Sequence, residues 1–525
     1  MTSPTADQQA ENVRAEMDAD ISDLTRGSLV TMVGKLGRLS RGAFIWVVTL
    51  LCGVDVQGLY SIAWGLVSTV NRVAHFGMER GVVRFLSAAR RGDRDKGTDE
   101  ESAVMGAAMR IGLATSIATS LALFLSADYL ESLYNKPIGT AILIVAWSAP
   151  FTTLTGILVA ATRSLRIMRY DVYVTSIAGP LILLVGGVVA GLTGAGLEGV
   201  MGAQFAMTVG SCLLAIIYYR LFFPLGASLR AIRSAASWRP LASFSLPVML
   251  ADVLSGTLTQ LDILMLGYMA SVHEVGIFVL ARRLASTMLK PLQSVDPIFS
   301  SVVSDLSAGG KHEQLQHRFG VVSRWVLIIN LPILAILLLI GYEALSLIDD
   351  GKISDLPDVE LGFKILTILC VGMLIQGIYG IAEPLLAMCG RPKLNLYNNI
   401  IWLIVNFGLN LWLISAYGIV GAAVGATVSV VFINIIRFLQ LYWIQHFKPF
   451  DRTQLKPVFA AVTSGLLAWF VSAQLPSGVG WAVGTLLLFL TAYLLILRAL
   501  GLEEEDRMAL ARIGERLRGK PKSPA

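Results

Sequence analysis

Apolar blocks of about twenty residues recur along the whole of this chain. A helix of that length crosses the ~30 Å hydrocarbon core of a bilayer. Blocks such as 325–340 and 484–497 lack the period-two alternation of membrane-barrel strands. Only 15% of the residues are charged, against about 25% in soluble domains. Because a helix satisfies its own backbone polar groups in lipid, the pattern predicts an all-α integral membrane protein.

Hydropathy divides the chain into about fourteen transmembrane helices joined mostly by short loops. The predicted spans are 24–53, 56–86, 103–127, 139–162, 171–193, 196–219, 242–268, 274–304, 319–345, 360–388, 394–416, 418–444, 454–473 and 478–500.

The loop charges orient these spans when the N-terminus is placed in the cytosol. The inner loops then carry most of the loop arginines and lysines, such as Arg163, Arg220 and Lys448. The outer loops carry only Lys136 and Lys352, together with several acids. This positive-inside pattern predicts a multi-pass protein of the cell (inner or plasma) membrane with both termini cytoplasmic. The net charge of +6 is then a topology signal, and no nucleic acid is expected as a partner.

A weak internal repeat relates the two halves of the chain. Aligned without gaps, Gly58 pairs with Gly276, Ala63 with Ala281 and Arg72 with Lys290. A second echo joins Gly196-Leu-Glu-Gly199 to Gly418-Ile-Val-Gly421. Each half holds six helices, which is an even number. We therefore expect the two halves to have the same orientation in the membrane and to be related by a pseudo-twofold axis along the membrane normal. The predicted fold is two six-helix lobes in a parallel inverted-V arrangement plus two C-terminal helices.

The predicted domains follow from that division. They are a cytosolic N-terminal tail (1–23), an N-lobe of helices one to six (24–219), a basic cytosolic linker (220–241), a C-lobe of helices seven to twelve (242–444), helices thirteen and fourteen (454–500) and a cytosolic C-terminal tail (501–525).

Charges inside the spans concentrate in the first two helices of each half. Lys35, Arg38 and Arg41 recur every third residue and share one face of helix one. Only residues 42–54, about 20 Å of helix, separate Arg41 from Asp55, so these cations fall within the membrane. A charge facing lipid there costs roughly 2.5–3.5 kcal/mol or more. Snorkelling to the inner headgroups is the alternative, chiefly for Lys35.

We predict a net basic cavity lined by helices one, two, seven and eight. Its candidate substrate-binding residues are Lys35, Arg38, Arg41, Arg72, His75, Arg282, Arg283 and Lys290. The candidate carriers of a coupling ion are Glu79, Asp252, Asp262 and Glu383. Structural ion pairs are the alternative, with Glu79 joined to Arg80 or Arg84 and Asp262 to Arg282. No catalytic residue, metal site or cofactor is expected; coupling to H⁺, Na⁺ or the membrane potential stays open.

Several short segments carry a resemblance that extends over about residues 22–500. They are Leu24-Thr-Arg-Gly-Ser28, Gly58-Leu-Tyr-Ser-Ile-Ala63, Phe244-Ser-Leu-Pro247, Leu261-Asp-Ile-Leu-Met-Leu-Gly267, Val275-Gly-Ile-Phe278, Gly390-Arg-Pro-Lys393 and Gly418-Ile-Val-Gly-Ala-Ala423. In order and spacing the chain resembles the polysaccharide (O-antigen type) flippase family of the multidrug/oligosaccharidyl-lipid/polysaccharide exporter superfamily.

That resemblance implies a transporter rather than an enzyme. Its expected substrate is a polyprenyl-pyrophosphate-linked oligosaccharide, moved from the inner to the outer leaflet by alternating access for cell-surface polysaccharide synthesis. The expected partners are the lipid-linked glycan, membrane lipids, and polysaccharide polymerase and assembly proteins. A lipid II flippase and a cation-coupled multidrug exporter of the same superfamily are the alternatives.

Overall fold

The computed structural model describes residues 40–90, 97–165, 167–233, 238–296, 312–346, 356–388, 391–445, 452–472 and 479–501, with the single residues 299, 303, 503 and 506. The terms inner and outer refer to the two sides of the membrane that the loop charges predict. By internal contact the chain divides into two compact units, Met1–Val279 and Leu280–Ala525.

The first unit is built from helices throughout its described part. They are α1 (Ser40–Cys52), α2 (Val54–His75), α3 (Met78–Ala89), α4 (Gly97–Tyr134), α5 (Gly139–Ala146), α6 (Ser148–Ser164), α7 (Arg169–Leu192), α8 (Gly196–Arg220), α9 (Leu225–Ala231), α10 (Arg239–Met269) and the beginning of α11 (Val272–Ala285). Its core lies where α3, α4, α6 and α8 meet, around Met78, Met109, Ile157 and Tyr219.

The second unit continues from α11 through a 3₁₀ turn (Ser286–Leu289) and a helical stretch at 290–296. Its other long helices are α12 (His312–Ser346), α13 (Leu356–Tyr379), α14 (Ala382–Met388), α15 (Pro392–Gln445), α16 (Leu455–Ser472) and α17 (Val479–Ala499). The non-helical Gly418 (φ 58, ψ −138) divides α15 into two helices. Both C-terminal helices pack on α12, where the Tyr493 hydroxyl donates to the Ile328 carbonyl at 3.1 Å.

The predicted all-α membrane fold is confirmed, because the structure has helix at each of the fourteen predicted spans. In the described part of the chain, eight helices are long and apolar enough to cross a membrane by length and composition alone. The others are shorter, broken or more polar. Large apolar side chains also point outward along α4, where Ile117, Leu121, Phe124 and Leu125 are exposed. Such a contiguous exposed apolar surface is what lipid contact requires.

A break in the helix separates α2 from α3 within the second predicted span. Phe76 (φ 48) and Gly77 (φ 62) both adopt the left-handed conformation. A Cβ on Gly77 would lie 2.6 Å from the Ser245 carbonyl oxygen. Glycine is therefore needed at this break both for its conformation and for its size.

Gly77→Ala should lower the stability of the protein. The left-handed conformation costs a residue with a Cβ about 1–2 kcal/mol, and the contact with Ser245 adds to that. Gly202→Ala is the matched control, since a Cβ there meets no atom within 4 Å. Thermal unfolding in detergent should show a lower Tm for Gly77→Ala and an equal or higher Tm for Gly202→Ala. Equal Tm values for Gly77→Ala and the parent protein would contradict this account.

Candidate functional site

The predicted cations of the first span lie only partly within the described residues. Lys35 and Arg38 lie outside them. Arg41 is exposed near the start of α1. One turn later the Phe44 ring packs edge-to-face on Tyr60 of α2, with 5.4 Å between ring centroids. This contact places the helix that carries Arg41 directly beside α2.

Arg72 lies against α10 in the inner half of α2. It follows Val54 by eighteen residues, which is about 27 Å of helix. Its side chain packs on Gly256 of α10, where any Cβ would collide with the guanidinium. The Arg72 Nε is buried and has no hydrogen-bond partner within the described structure. The other guanidinium nitrogens are therefore the ones available to an anion.

His75 and Glu79 continue the polar face of the same span toward its inner end. The His75 Nδ1 lies 3.3 Å from the Thr153 hydroxyl of α6. The Glu79 carboxylate accepts a hydrogen bond from Arg163 Nη2 at 2.8 Å. Arg163 also lies 3.6 Å from Asp171, through its Nε. Glu79 thus pairs with Arg163, and not with the neighbours Arg80 or Arg84 that its sequence position suggested.

Arg80 and Arg84 contact α10 instead. The Arg80 Nη2 donates to the Asp252 carboxylate at 3.0 Å. The Arg84 guanidinium lies 4.4 Å from the centre of the Phe244 ring, a cation–π contact. Asp252, a predicted ion carrier, is therefore held in an ion pair that links the second and seventh spans.

Three arginines around α2 and α3 make no ion pair within the described structure. Glu79 and Asp171 share Arg163, and Asp252 pairs with Arg80. Arg41, Arg72 and Arg84 make no ion pair with any residue that the structure describes. The unneutralised charge of this site is positive, so its chemistry suits an anion.

The remaining predicted residues lie on α10 and in the second unit. Asp262 is buried on α10. Arg282 and Arg283 are half-buried on α11, and the exposed Lys290 amine lies 3.3 Å from the Gln293 side-chain oxygen. Glu383 accepts a hydrogen bond at 2.8 Å from Arg437, whose side chain is wholly buried.

Four of these ion-pair residues were not among the predicted site residues. Arg80 was considered only as a structural partner of Glu79, Arg163 only as an inner-loop charge, and Asp171 and Arg437 were not singled out. Arg437 did carry a signal, because it is a lone charge in the apolar run Ile435-Ile436-Arg437-Phe438 of a predicted span. Among the described residues, no group of three or more His, Cys, Asp or Glu side chains is placed to hold a metal ion.

Solved structures of transport proteins share this fold. Lipid II flippase MurJ in an inward closed conformation matches with a TM-score of 0.71 and 14% identity, over 89% of this chain and 97% of that chain. An inward-facing multidrug resistance transporter of the MATE family, in the MOP superfamily, matches with a TM-score of 0.68 and 16% identity, over 81% and 98%. A MOP-superfamily transporter from Pyrococcus furiosus, described as having a binding pocket of reverse polarity, matches with a TM-score of 0.57 and 16% identity, over 81% and 95%. At these identities the likeness shows the fold.

The family is shown by the sequence itself. A search of curated proteins finds no significant match. Residues 47–348 match the family model described as polysaccharide biosynthesis protein, which confirms the resemblance seen in the short segments. Because this match spans more than half of the chain, the chain belongs to the polysaccharide biosynthesis protein family, and it has the fold of transporters of the MOP superfamily.

Proposed function

We propose that this protein flips a polyprenyl-pyrophosphate-linked oligosaccharide from the inner to the outer leaflet for the synthesis of cell-surface polysaccharide. The observation that carries the proposal is the charge left over at the site. Two arginines pair with the three carboxylates around α2 and α3, while Arg41, Arg72 and Arg84 form no ion pair in the described structure, so the arginines outnumber the carboxylates. A pyrophosphate is an anion that arginine binds with strong, charge-assisted hydrogen bonds.

The position of Arg72 suits capture of the substrate from the inner leaflet. It lies about 27 Å along α2 from the outer end of that helix, close to the depth of the inner headgroups. In our proposal the pyrophosphate binds there while the polyprenyl tail remains in the bilayer. Movement of the two halves of the chain then exposes the binding site alternately to the two sides of the membrane, as the internal repeat predicts.

The membrane potential is a sufficient driving force for the outward step. Moving negative charge out of a negative interior is favourable by about 2.3 kcal/mol per charge per 100 mV. An H⁺ or Na⁺ carried by Glu79 or Asp252 would first have to displace an arginine from its ion pair. We therefore propose the membrane potential as the main coupling. The polysaccharide polymerase and assembly proteins are the proposed partners at the plasma membrane, with both termini in the cytosol.

Purified protein in proteoliposomes tests the substrate. A fluorescent polyprenyl-pyrophosphate glycan is placed in both leaflets, and an impermeant quencher reports the fraction that reaches the outer surface. Parallel arms use a lipid II analogue and a permanently cationic dye, which represent the two alternative functions. We expect at least tenfold faster exposure of the glycan lipid than in protein-free vesicles. Exposure of lipid II alone, or uptake of the dye alone, would contradict the proposal and identify the alternative.

A further inference from the structure

The predicted linker of residues 220–241 contains a short helix, α9, that is fixed to the inner ends of two spans. The hydroxyl groups of Tyr219 at the end of α8 and Ser228 on α9 are buried and form a hydrogen bond at 2.7 Å. Three residues later α9 lies against α4, because a Cβ on Gly106 would lie 2.5 Å from the carbonyl carbon of Ala231. The first unit therefore holds α9 at two points, which gives this part of the linker a defined position.

The same contacts place α9 at the depth of the inner headgroups. Gly106 lies in the first turn of the span predicted at 103–127, which is the inner end of that span. Beside it, the Arg90 guanidinium lies 5.1 Å from the centre of the Phe223 ring of the linker and pairs with Glu101 of α4 at 2.5 Å. The linker thus lies where the hydrocarbon core ends and charged groups begin.

The exposed side of this linker combines arginines with large apolar side chains. Leu221 and Leu229 are 61% and 49% exposed. Arg220, Arg230 and Arg233 are exposed as well, and none of the three forms an ion pair with a residue that the structure describes. The whole stretch 220–241 contains four arginines and no acidic residue. We call these three arginines and two leucines the linker surface.

The nearby helix α7 adds a further cation and aromatic rings to this side of the protein. Phe222 of the linker packs on Tyr170 of α7, with 5.4 Å between ring centroids. The Arg169 guanidinium lies 4.7 Å from the centre of the Tyr170 ring and donates to its hydroxyl at 2.8 Å. Aromatic rings of this kind are typical of the interface between membrane and water.

The acidic residues of the neighbouring helices are engaged by other arginines. Glu101 on α4 pairs with Arg90, and Asp171 on α7 lies 3.6 Å from Arg163. The described part of the first unit therefore leaves the linker surface with a positive charge. A partner of this surface has to be negative and at the same time accept two exposed leucines.

An anionic phospholipid of the inner leaflet has both properties. Apolar side chains at headgroup depth enter the boundary of the acyl chains, while cations on the same element attract anionic headgroups. Arginine in addition binds phosphate oxygens with charge-assisted hydrogen bonds. A basic loop that only sets the topology of the protein requires neither a fixed helix nor exposed leucines beside its charges.

We propose that the linker surface binds the phosphate headgroup of an anionic phospholipid in the inner leaflet. The arginines hold the phosphate, and Leu221 and Leu229 lie among the first carbons of the acyl chains. The bound lipid holds α9 and the inner ends of α4 and α8 at the membrane surface. The site uses none of the residues proposed to bind the pyrophosphate, so it goes beyond the proposed function and does not depend on the transported substrate.

Purified protein in detergent is titrated with phosphatidylglycerol and, in a parallel arm, with phosphatidylcholine that has the same acyl chains. A ligand of the folded protein raises its Tm, and the lipid concentration at the midpoint of the rise reports the affinity. We expect phosphatidylglycerol to act at much lower concentrations than phosphatidylcholine. The triple variant Arg220→Gln/Arg230→Gln/Arg233→Gln should bind phosphatidylglycerol on the order of 100-fold more weakly, since each arginine near an anionic surface adds roughly a fivefold affinity. Its Tm without lipid should stay close to that of the parent protein, because the three side chains are exposed.

The matched control is Arg391→Gln/Lys393→Gln/Arg498→Gln. It removes the same charge from exposed positions on the predicted inner side that lie outside the linker surface. We expect this control to bind phosphatidylglycerol with the parent affinity. Equal losses in the two triple variants would show that only the total charge matters, and equal binding of the two lipids by the parent protein would show that no anionic lipid is recognised. Either result would overturn the proposal.

A third arm with a polyprenyl-pyrophosphate lipid separates the two phosphate-bearing lipids. The linker variant should still be stabilised by this lipid, because Arg72 is intact. If the variant lost its response to both lipids, the surface would belong to the substrate lipid and the choice of a phospholipid would be wrong. A parent protein that responds to phosphatidylglycerol and not to the polyprenyl-pyrophosphate lipid would support the linker surface and reject the proposed substrate.

Discussion

Glu383→Met should be among the most destabilising single substitutions in the second unit. It leaves the Arg437 guanidinium wholly buried, with the Asn399 side-chain oxygen at 3.0 Å as its remaining polar contact. Removing one partner of a buried ion pair typically costs about 3–5 kcal/mol. The Glu383 carboxylate is 39% exposed, so we expect the lower end of that range. Thermal unfolding in detergent should show a Tm several degrees below that of the parent protein.

The double variant Glu383→Met/Arg437→Leu should recover most of that loss. Two of the guanidinium nitrogens of Arg437, Nε and Nη1, are buried without a hydrogen-bond partner in the described structure. The arginine is thus incompletely satisfied even when paired. Replacing both members of a buried pair with apolar residues is often neutral or stabilising. A double variant as unstable as Glu383→Met would show that Arg437 contributes through packing, for example against the Trp402 ring, rather than through its charge.

The flipping rate of the double variant decides whether Glu383 carries a coupling ion. A structural pair can be exchanged for apolar residues without loss of transport, whereas an ion carrier cannot. We expect the double variant to flip glycan within about threefold of the parent rate at equal protein abundance, the typical context-dependence of such substitutions. A folded double variant that flips glycan more than tenfold slower than the parent protein would indicate that Glu383 carries a coupling ion.

The fold could be predicted from the sequence because lipid imposes a simple rule on it. Each apolar block must form a helix of known length, so the number of spans follows from hydropathy. The repeat was also visible in the sequence, since the two halves carry matching residues at equivalent positions, such as Gly58 and Gly276. In the structure the two segments touch, since a Cβ on Gly58 would collide with the carbonyl oxygen of Val272 and a Cβ on Gly276 with that of Val54. This contact was not predictable, because a repeat establishes equivalence between two segments and does not bring them together.

The ion pairs illustrate what sequence reasoning could not reach. Glu79 has arginines one and five positions away, and their closeness in the sequence suggested those neighbours as partners. The structure pairs it with Arg163, 84 residues away on α6. Partners across helices depend on how the helices pack, which a single sequence does not encode in any local pattern. The presence of charge in the second span could thus be predicted, but its neutralisation could not.

Arg72→Gln should abolish most glycan flipping without destabilising the protein. Arg72 makes no ion pair with any described residue, and its Nε lacks a hydrogen-bond partner, so the substitution breaks no bond of the folded state. Hydrogen bonds to a charged group contribute about 1.5–3 kcal/mol, which corresponds to roughly a 10- to 150-fold change in binding. We expect a loss of flipping of that size at an unchanged Tm. Arg72→Lys should keep part of the activity, since it retains the charge but not the planar guanidinium.

Arg163→Gln is the matched control, because it removes an arginine of the same region that the structure pairs with Glu79 and Asp171. Its loss leaves two carboxylates without a counter-charge, so we expect a lower Tm in addition to slower flipping. Binding separates the two roles further. A polyprenyl-pyrophosphate lipid should raise the Tm of the parent protein and of Arg163→Gln, but not that of Arg72→Gln, because a ligand stabilises only a fold that binds it. An Arg72→Gln protein that is still stabilised by the lipid would place the pyrophosphate elsewhere. The positive charge left over on α2 would then have to be neutralised by a different anion, and the charge balance that carries the proposed function would no longer support this substrate.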